Sequence, residues 1–343
     1  MSAYKTDILA QAAALQDTLD LLDVTNFPED IRRGMQTGRW RKIVLTGMGS
    51  SYFGLLPLYY RLVSAGLPAW LVETSELLYL PAFLTPDTLV VAASQSGSSV
   101  ETMRLLEEFG SQCSVIGVTN TADSPLGRKS TFAVLTRAGQ EATVSCKTYL
   151  AALAAQTWLG DQLIQEDLGQ HEYAGLAPTP QIVQAYLDKL PEHIEELKPV
   201  LTGVRQIYLV GRGTSIASAG TGGLILKESV HIAAEGMSSA GFRHGPFEMI
   251  GPETFVLIFS GCGETVRLNR KLYSDVVSAG GRTAMVAPAL AGQPSVFTLP
   301  ACPNPALLIL EILPVQMMTL ALADLRNLQA GSFSLATKVT TVE

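Results

Sequence analysis

Between Ser94 and Ser99 the chain reads Ser-Gln-Ser-Gly-Ser-Ser, which gathers four hydroxyls and a glycine into six residues. An apolar run from Thr88 precedes this stretch, and Val100, Met103, Leu105, Leu106 and Phe109 follow it at helical spacing. The pattern predicts a buried strand, a tight polar loop and a helix. The first turn of a helix points unpaired backbone N–H groups at one spot, and serine hydroxyls add neutral donors beside them. Such a spot suits a small anion, a phosphate above all. A capped helix needs only one serine, and here there are four. Two further runs carry glycines and hydroxyls after an apolar stretch: Gly47-Met48-Gly49-Ser50-Ser51 and Gly211-Arg212-Gly213-Thr214-Ser215. Tyr52 and Ile216 stand where a dinucleotide fingerprint would have its third glycine, so these runs favour a sugar or phosphate over NAD.

Several chemistries are disfavoured. No GxSxG elbow occurs at these serines, and neither HExxH nor a Cys/His ligand cluster is present, so no metal or cofactor is expected. The four cysteines, Cys113, Cys146, Cys262 and Cys302, form no CxxC pair, which predicts free thiols in a reduced, cytoplasmic compartment. A net charge of −7 and the absence of a basic run argue against nucleic-acid binding. The N-terminal stretch sets Lys5, Asp7, Asp17 and Asp20 among apolar residues and reads as an amphipathic helix, not a signal peptide. The most apolar segment, Ala306 to Leu325, holds Glu311 and Pro314 and reads as a buried helix, so no membrane span is expected.

The elements that must position these loops alternate. Strands are predicted at Lys42 to Thr46, near Ala69 to Glu73, from Thr88, at Ser114 to Thr119 and near Phe132 to Leu135, with helices at about Phe53 to Val63 and at Tyr149 to Leu159. Alternation of this kind implies a mostly parallel sheet covered on both faces. Gln165 to Pro180, with two glycines and two prolines, reads as a linker. Beyond it the pattern repeats. Ile207 to Ser215 matches Ile43 to Ser51 at an offset of 164, and Pro252 to Thr265 matches Pro86 to Ser99 at an offset of 166. Two registered matches in the same order predict two tandem doubly wound parallel-sheet α/β domains, residues 1–165 and 181–343.

The second copy also carries family motifs. Gly211-Arg212-Gly213, Leu226-Lys227-Glu228-Ser229, Ala234-Glu235-Gly236 and Arg243-His244-Gly245-Pro246 resemble the isomerase half of glutamine–fructose-6-phosphate aminotransferase, a member of the SIS (sugar isomerase) family. Ser94-Gln95-Ser96-Gly97 matches the family's phosphate loop, and Ala336 to Glu343 resembles its lysine-bearing tail. The resemblance implies tandem flavodoxin-like SIS domains and a cradle for a sugar 6-phosphate made by Ser94, Ser96, Ser99, Ser50, Ser51 and the amide of Gln95. It makes Glu228 the proton-shuttling carboxylate. His244 becomes the histidine of ring opening or leaving-group protonation, supplied in this family by the same or the neighbouring subunit, so a homodimer or higher homo-oligomer is expected. Lys338 becomes the tail lysine that closes over the sugar and can form a Schiff base with an open-chain ketose. The apolar neighbours Phe333, Leu335, Val339 and Val342 predict a docked tail.

Read by spacing alone, Glu228 is a helix residue beside Lys227 and His244 a loop histidine in a Gly-Pro turn; the family match is what makes them catalytic candidates. His231, Glu235 and Arg243 have no settled role. Ile225 replaces the family's lysine three positions before the glutamate, and no glutaminase segment or nucleophilic cysteine opens the chain. These residues predict an enzyme that cleaves the C–N bond of a 6-phosphorylated sugar–amine by Glu/His acid–base catalysis. Its substrate would be a sugar–amino-acid conjugate (a deglycase) or an amino sugar (a deaminase coupled to isomerisation). An aldose–ketose 6-phosphate isomerase and a non-catalytic phosphosugar sensor are the alternatives.

Overall fold

The computed structural model describes residues 2–164, 171–288, 295–335 and 337–340. Five parallel strands, β1 (Lys42–Gly47), β2 (Ala69–Glu73), β3 (Thr88–Ala93), β4 (Ser114–Thr119) and β5 (Phe132–Leu135), form a sheet of order β2-β1-β3-β4-β5. Five more, β6 (Gln206–Gly211), β7 (Ala233–Ser238), β8 (Thr254–Phe259), β9 (Arg282–Pro288) and β10 (Thr298–Leu299), form a second sheet of order β7-β6-β8-β9-β10. Both follow the 2-1-3-4-5 order of a doubly wound, flavodoxin-like sheet. The two sheets fall on either side of the segment 165–180.

The strand sequences account for the layering. In β1, Ile43 and Leu45 join Leu89, Val91 and Ile116 in one apolar cluster, whereas Val44 joins Val90, Ala92 and Val115 in another. Alternate residues face opposite sides of a strand, so a run apolar at every position needs helices on both sides. In the second sheet, Tyr208, Val210, Val256 and Ile258 share one such cluster.

Two helices predicted as single are broken. The N-terminal segment forms Ala3–Leu9 and Gln11–Asp23, and the segment after β1 forms Gly49–Gly54 and Leu56–Ser64. Pro57 explains the second break, because a residue without an N–H fits only in the first turn of a helix. The apolar segment expected to be a buried helix is one, Asn304–Arg326; by length and composition it could cross a membrane, yet nearly all of it is enclosed by protein. Residues 165–170 of the expected linker lie outside the described residues. The remainder is ordered, with a short 3-10 turn at Tyr173–Leu176 and a helix starting at Thr179.

By contacts the chain forms two compact units. The first comprises Ala13–Gln140, Lys147–Ala177 and, from the tail, the described residues 337–340. The second comprises the chain up to Ala12, Glu141–Cys146 and Pro178–Leu335. Within the second unit the helix Ala3–Leu9 and the start of the next are fastened by buried polar pairs. Gln11 and Gln316 exchange two amide hydrogen bonds of 2.9 and 2.8 Å, and Thr319 donates to the Tyr4 hydroxyl at 3.3 Å.

Glycines let the helix that carries Glu228 pack closely on β7. A Cβ on Gly236 of β7 would lie 2.0 Å from the Ala219 carbonyl oxygen of the helix Ile216–Val230, and one on Gly223 would lie 2.7 Å from the Gly236 nitrogen. Backbone on both sides leaves no soft atom to move. Gly236→Ala is therefore expected to destabilise the protein by roughly 1–3 kcal/mol in chemical denaturation. Gly251→Ala, with nothing within 4 Å of its Cβ, should change stability by less than about 0.5 kcal/mol.

Candidate active site

The serine loop lies at the carboxyl end of β3, and the Gly49–Ser51 turn at the carboxyl end of the adjacent β1. A sheet whose order reverses between these strands opens its crevice here, where doubly wound folds take ligands. The two strand ends touch: a Cβ on Gly47 would lie 3.0 Å from the Ala93 carbonyl oxygen. The loop is tied to its neighbours by backbone. Ser94 N donates to Val118 O at 3.0 Å, Asn120 N to Gln95 O at 3.1 Å and Leu126 N to Gly97 O at 3.1 Å. Gly97 adopts φ 64°, and a Cβ there would fall 2.1 Å from Ser124 Oγ, so the turn requires glycine.

The loop serines divide into two kinds. Ser94 is buried and its hydroxyl oxygen accepts from Gly97 N at 3.2 Å. Ser99 is the N-cap of the helix Val100–Phe109, accepting from Thr102 N at 3.4 Å with its hydroxyl 2.9 Å from Thr102 Oγ1. Both shape the loop. Ser96 and Ser98 are half-buried, with only long contacts to each other of 3.3 and 3.4 Å among the described residues, and Ser50 and Ser51 are half-buried in the adjoining turn. Those four hydroxyls are the ones best placed to meet a ligand. Ser98 was absent from the expected cradle, because spacing cannot tell which serine of a run caps the helix.

The tail reaches the same loop. Val100 N, the first amide of the helix, donates to Thr340 O at 3.1 Å, which sets half-buried Lys338 two residues from a contact with the loop's helix. Leu335, expected to help dock the tail, is wholly exposed, and Val342 lies outside the described residues. The backbone makes the visible attachment. Ordering the tail this way satisfies one of the helix's orphan N–H groups.

In the second unit, Glu228 is half-buried in the last turn of the helix Ile216–Val230, and Ile225 one turn earlier is fully buried. His231 ends that helix at φ 52°. Since β6 and β7 run parallel, the connecting helix runs back against them, which brings Glu228 to the amino edge of the sheet. His244 follows β7 and the short helix Ser239–Phe242, at the carboxyl edge, and is exposed. Six residues of β7 separate the two edges, about 20 Å. Glu228 and His244 of one chain are thus not brought together. Arg243 donates to Asp275 at 2.6 Å and is engaged at the surface, while Glu235 is exposed on the edge strand.

A further carboxyl was visible in the sequence only as an interruption of an apolar helix. Glu311 is fully buried and accepts from Ser215 Oγ at 2.8 Å and Ser218 Oγ at 2.9 Å. Burial pushes its pKa up to about 7 against the pull of the two hydroxyls. Among the described residues no cluster of His, Cys, Asp and Glu could hold a metal ion.

The fold defines a tandem doubly wound α/β architecture, and comparison with known proteins supplies the family. The SIS domain model matches residues 38–164 and 200–321, so the chain belongs to the SIS domain family. It is similar to glutamine–fructose-6-phosphate aminotransferase (isomerizing) of Pyrococcus horikoshii, with 30% identity over 305 residues that cover 84% of this chain and 50% of that one. The chain spans about half the length of the curated relatives it matches. Among solved structures, the C-terminal domain of glucosamine-fructose-6-phosphate aminotransferase from Francisella tularensis superposes with a TM-score of 0.84 at 20% identity, covering 96% of this chain and 98% of that one. Glucosamine-6-phosphate deaminase from Thermotoga maritima gives 0.77 at 16%, covering 99% and 100%. At these identities the structural likeness concerns the fold.

Glu311 should leave a signature in stability. Between its ordinary value of 4.5 and about 7 the folded chain holds a proton that the unfolded chain has released. That contribution is complete below about 4.5 and is lost as the pH rises through 7. Relative to Glu311→Gln, the wild type is expected to lose on the order of 2 kcal/mol between pH 5 and pH 8 in chemical denaturation. Parallel pH profiles would show that Glu311 does not titrate in this range.

Proposed function

We propose that this chain is a phosphosugar enzyme that cleaves the C–N bond of a 6-phosphorylated sugar–amine. The observation that carries the reading is the hydrogen bond from Val100 N to Thr340 O, which joins the serine loop to the tail bearing Lys338. A sensor needs a loop to hold phosphate but has no use for a lysine-bearing strap at the same place. In this reading Ser96, Ser98, Ser50 and Ser51 hold the phosphate on the loop shaped by Ser94, Gln95 and Ser99. Lys338 meets the carbonyl end of the open-chain sugar, and Glu228 moves a proton between C1 and C2.

One proton transfer serves both substrate classes. With an amine on C2, removing the C2 proton gives an enolamine, and protonation at C1 leaves a C2 imine that water hydrolyses to ketose and ammonia. With an amino acid on C1 of a ketose, removing the C1 proton and protonating C2 leaves a C1 imine that water hydrolyses to aldose and amino acid. His244 protonates the ring oxygen on ring opening or the nitrogen of the departing amine. Glu228 and His244 lie at opposite edges of one sheet, which favours a histidine donated by a second copy and hence a homodimer or larger assembly.

A panel of 6-phosphorylated amino sugars and sugar–amino-acid adducts, assayed separately for ammonia and for free amino acid, tests the reading. Ammonia identifies a deaminase and amino acid a deglycase. Ketose formed from an aldose phosphate without amine release would replace both with plain isomerisation, an activity named for the isomerizing relative. Glu228→Gln is expected to lower turnover by at least about 100-fold while sugar-phosphate binding stays within a few-fold. Unchanged turnover would remove Glu228 from the mechanism.

A further inference from the structure

The duplication allows one crevice to be compared with the other. At the offset of 164, Ser50, Ser51 and Gly54 of the first copy correspond to Thr214, Ser215 and Ser218 of the second. Ser50 and Ser51 are half-buried at the mouth of their crevice, and Gly54 has no side chain. In the second copy, Ser215 and Ser218 are buried, and each donates to a different oxygen of Glu311, which reaches them from the core-forming helix Asn304–Arg326. The facing loop has changed as well. Gln95-Ser96-Gly97 corresponds to Gly261-Cys262-Gly263, and Thr265, in the place of Ser99, donates its hydroxyl back to Cys262 O at 2.7 Å. The two second-copy loops still meet, since a Cβ on Gly261 would lie 2.4 Å from Thr265 Oγ1 and 3.7 Å from Ser215 Oγ.

We propose that Glu311 is an internal ligand of the second copy, a carboxyl that takes from the core side the hydroxyls an external phosphate would use. It closes that crevice to anions.

Two physical consequences support this assignment. A hydroxyl has one proton to donate, and those of Ser215 and Ser218 go to Glu311. An ionised Glu311 also sets a negative charge behind the loop, and no cation is paired with it among the described residues; Cys302 is the other titratable group nearby. A phosphate dianion could enter only by forcing a proton onto that carboxyl. The second-copy loop also carries a cation, Arg212, where the first copy has Met48. Its Nε is buried without a hydrogen-bond partner among the described residues, a donor that an anion could take up. Glu311 is then what separates a closed crevice from an open one.

The test isolates the second copy, so that it does not depend on the first loop binding sugar phosphate as proposed above. In a chain carrying Ser96→Ala and Ser98→Ala, binding of inorganic phosphate is measured at pH 8 by equilibrium dialysis and by the phosphate dependence of the thermal midpoint, with Glu311 intact and with Glu311→Ala. With Glu311 present, no saturable phosphate binding to the second copy is expected. Glu311→Ala should gain one saturable phosphate per chain and a phosphate-dependent rise in midpoint, both abolished by adding Arg212→Ala. Should Glu311→Ala fail to fold, Glu311→Gln keeps the size and removes the charge, and phosphate affinity at least tenfold above the parent is expected. Phosphate bound through Arg212 with Glu311 in place, or no gain in either Glu311 variant, would overturn the proposal. Loss of sugar-phosphate binding by the wild type would instead count against the proposed function and leave Glu311 unaffected.

Discussion

A parallel sheet cannot connect neighbouring strands by tight turns. Each strand must return through a helix, and where the order of winding reverses, two successive helices go to opposite faces and their loops part. The gap between β1 and β3 is that parting, and the chemistry of the first unit gathers around it. The serine loop, the Gly49–Ser51 turn and the tail carbonyl of Thr340 all sit at the carboxyl ends of these two strands or at the helix start beyond. Deeper along the strands Val90, Val91, Val44 and Leu45 are sealed on both faces, and the polar Thr46 is accommodated by a hydrogen bond to Thr74 at 3.0 Å. The strands fix where the loop ends, and the loop can then afford an unusual density of hydroxyls.

Much of this was legible from residue order. Apolar runs ending in glycine or serine marked the strands, and β2, β4 and β5 and the helix Val100–Phe109 begin and end where pattern placed them. The repeat was readable because register is conserved within the chain, with Gly47 and Gly211 ending equivalent strands. Less was readable wherever one residue type serves two purposes. Ser94 and Ser99 look like Ser96 and Ser98 in a sequence, yet the first pair is consumed by the turn and the cap. Leu335 looked like an anchor, but an apolar side chain anchors only if a surface is there to receive it, and it projects into solvent. Glu311 is the clearest case, since the partners that make a buried carboxyl tolerable lie about 95 residues earlier, 96 in sequence for Ser215 and 93 for Ser218.

The two copies have kept a common frame and divided the labour. In the first, glycine at position 54 and a row of serines leave the crevice lined with hydroxyls. In the second, a longer helix after the same first strand carries Gly223 against β7 and Gly222 against β6, with a Cβ on Gly222 only 2.6 Å from Leu209 Cδ2. That close contact fixes the helix along its length, and Glu228 is held at its far end. A residue at the end of a tightly seated helix is positioned by the whole element and not by its neighbours in sequence, which is why spacing alone said so little about it.

The membership of the two units bears on how such a chain is made. Residues up to Ala12 are synthesised long before the second sheet but belong with it, through pairs such as Gln11 with Gln316; residues 337–340 follow both sheets but belong with the first. The first sheet cannot collect residues 337–340, nor the helix Ala3–Leu9 its partner Thr319, until the second half has been synthesised. The first helices must wait, with Tyr4 and Ile8 uncovered, for a helix that is translated some 300 residues later. Long-range closures of this kind slow folding and prolong exposure of apolar surface. They also make synthesis of the second half a condition for completing the first, so that a product truncated before Gln316 is left unfinished at both.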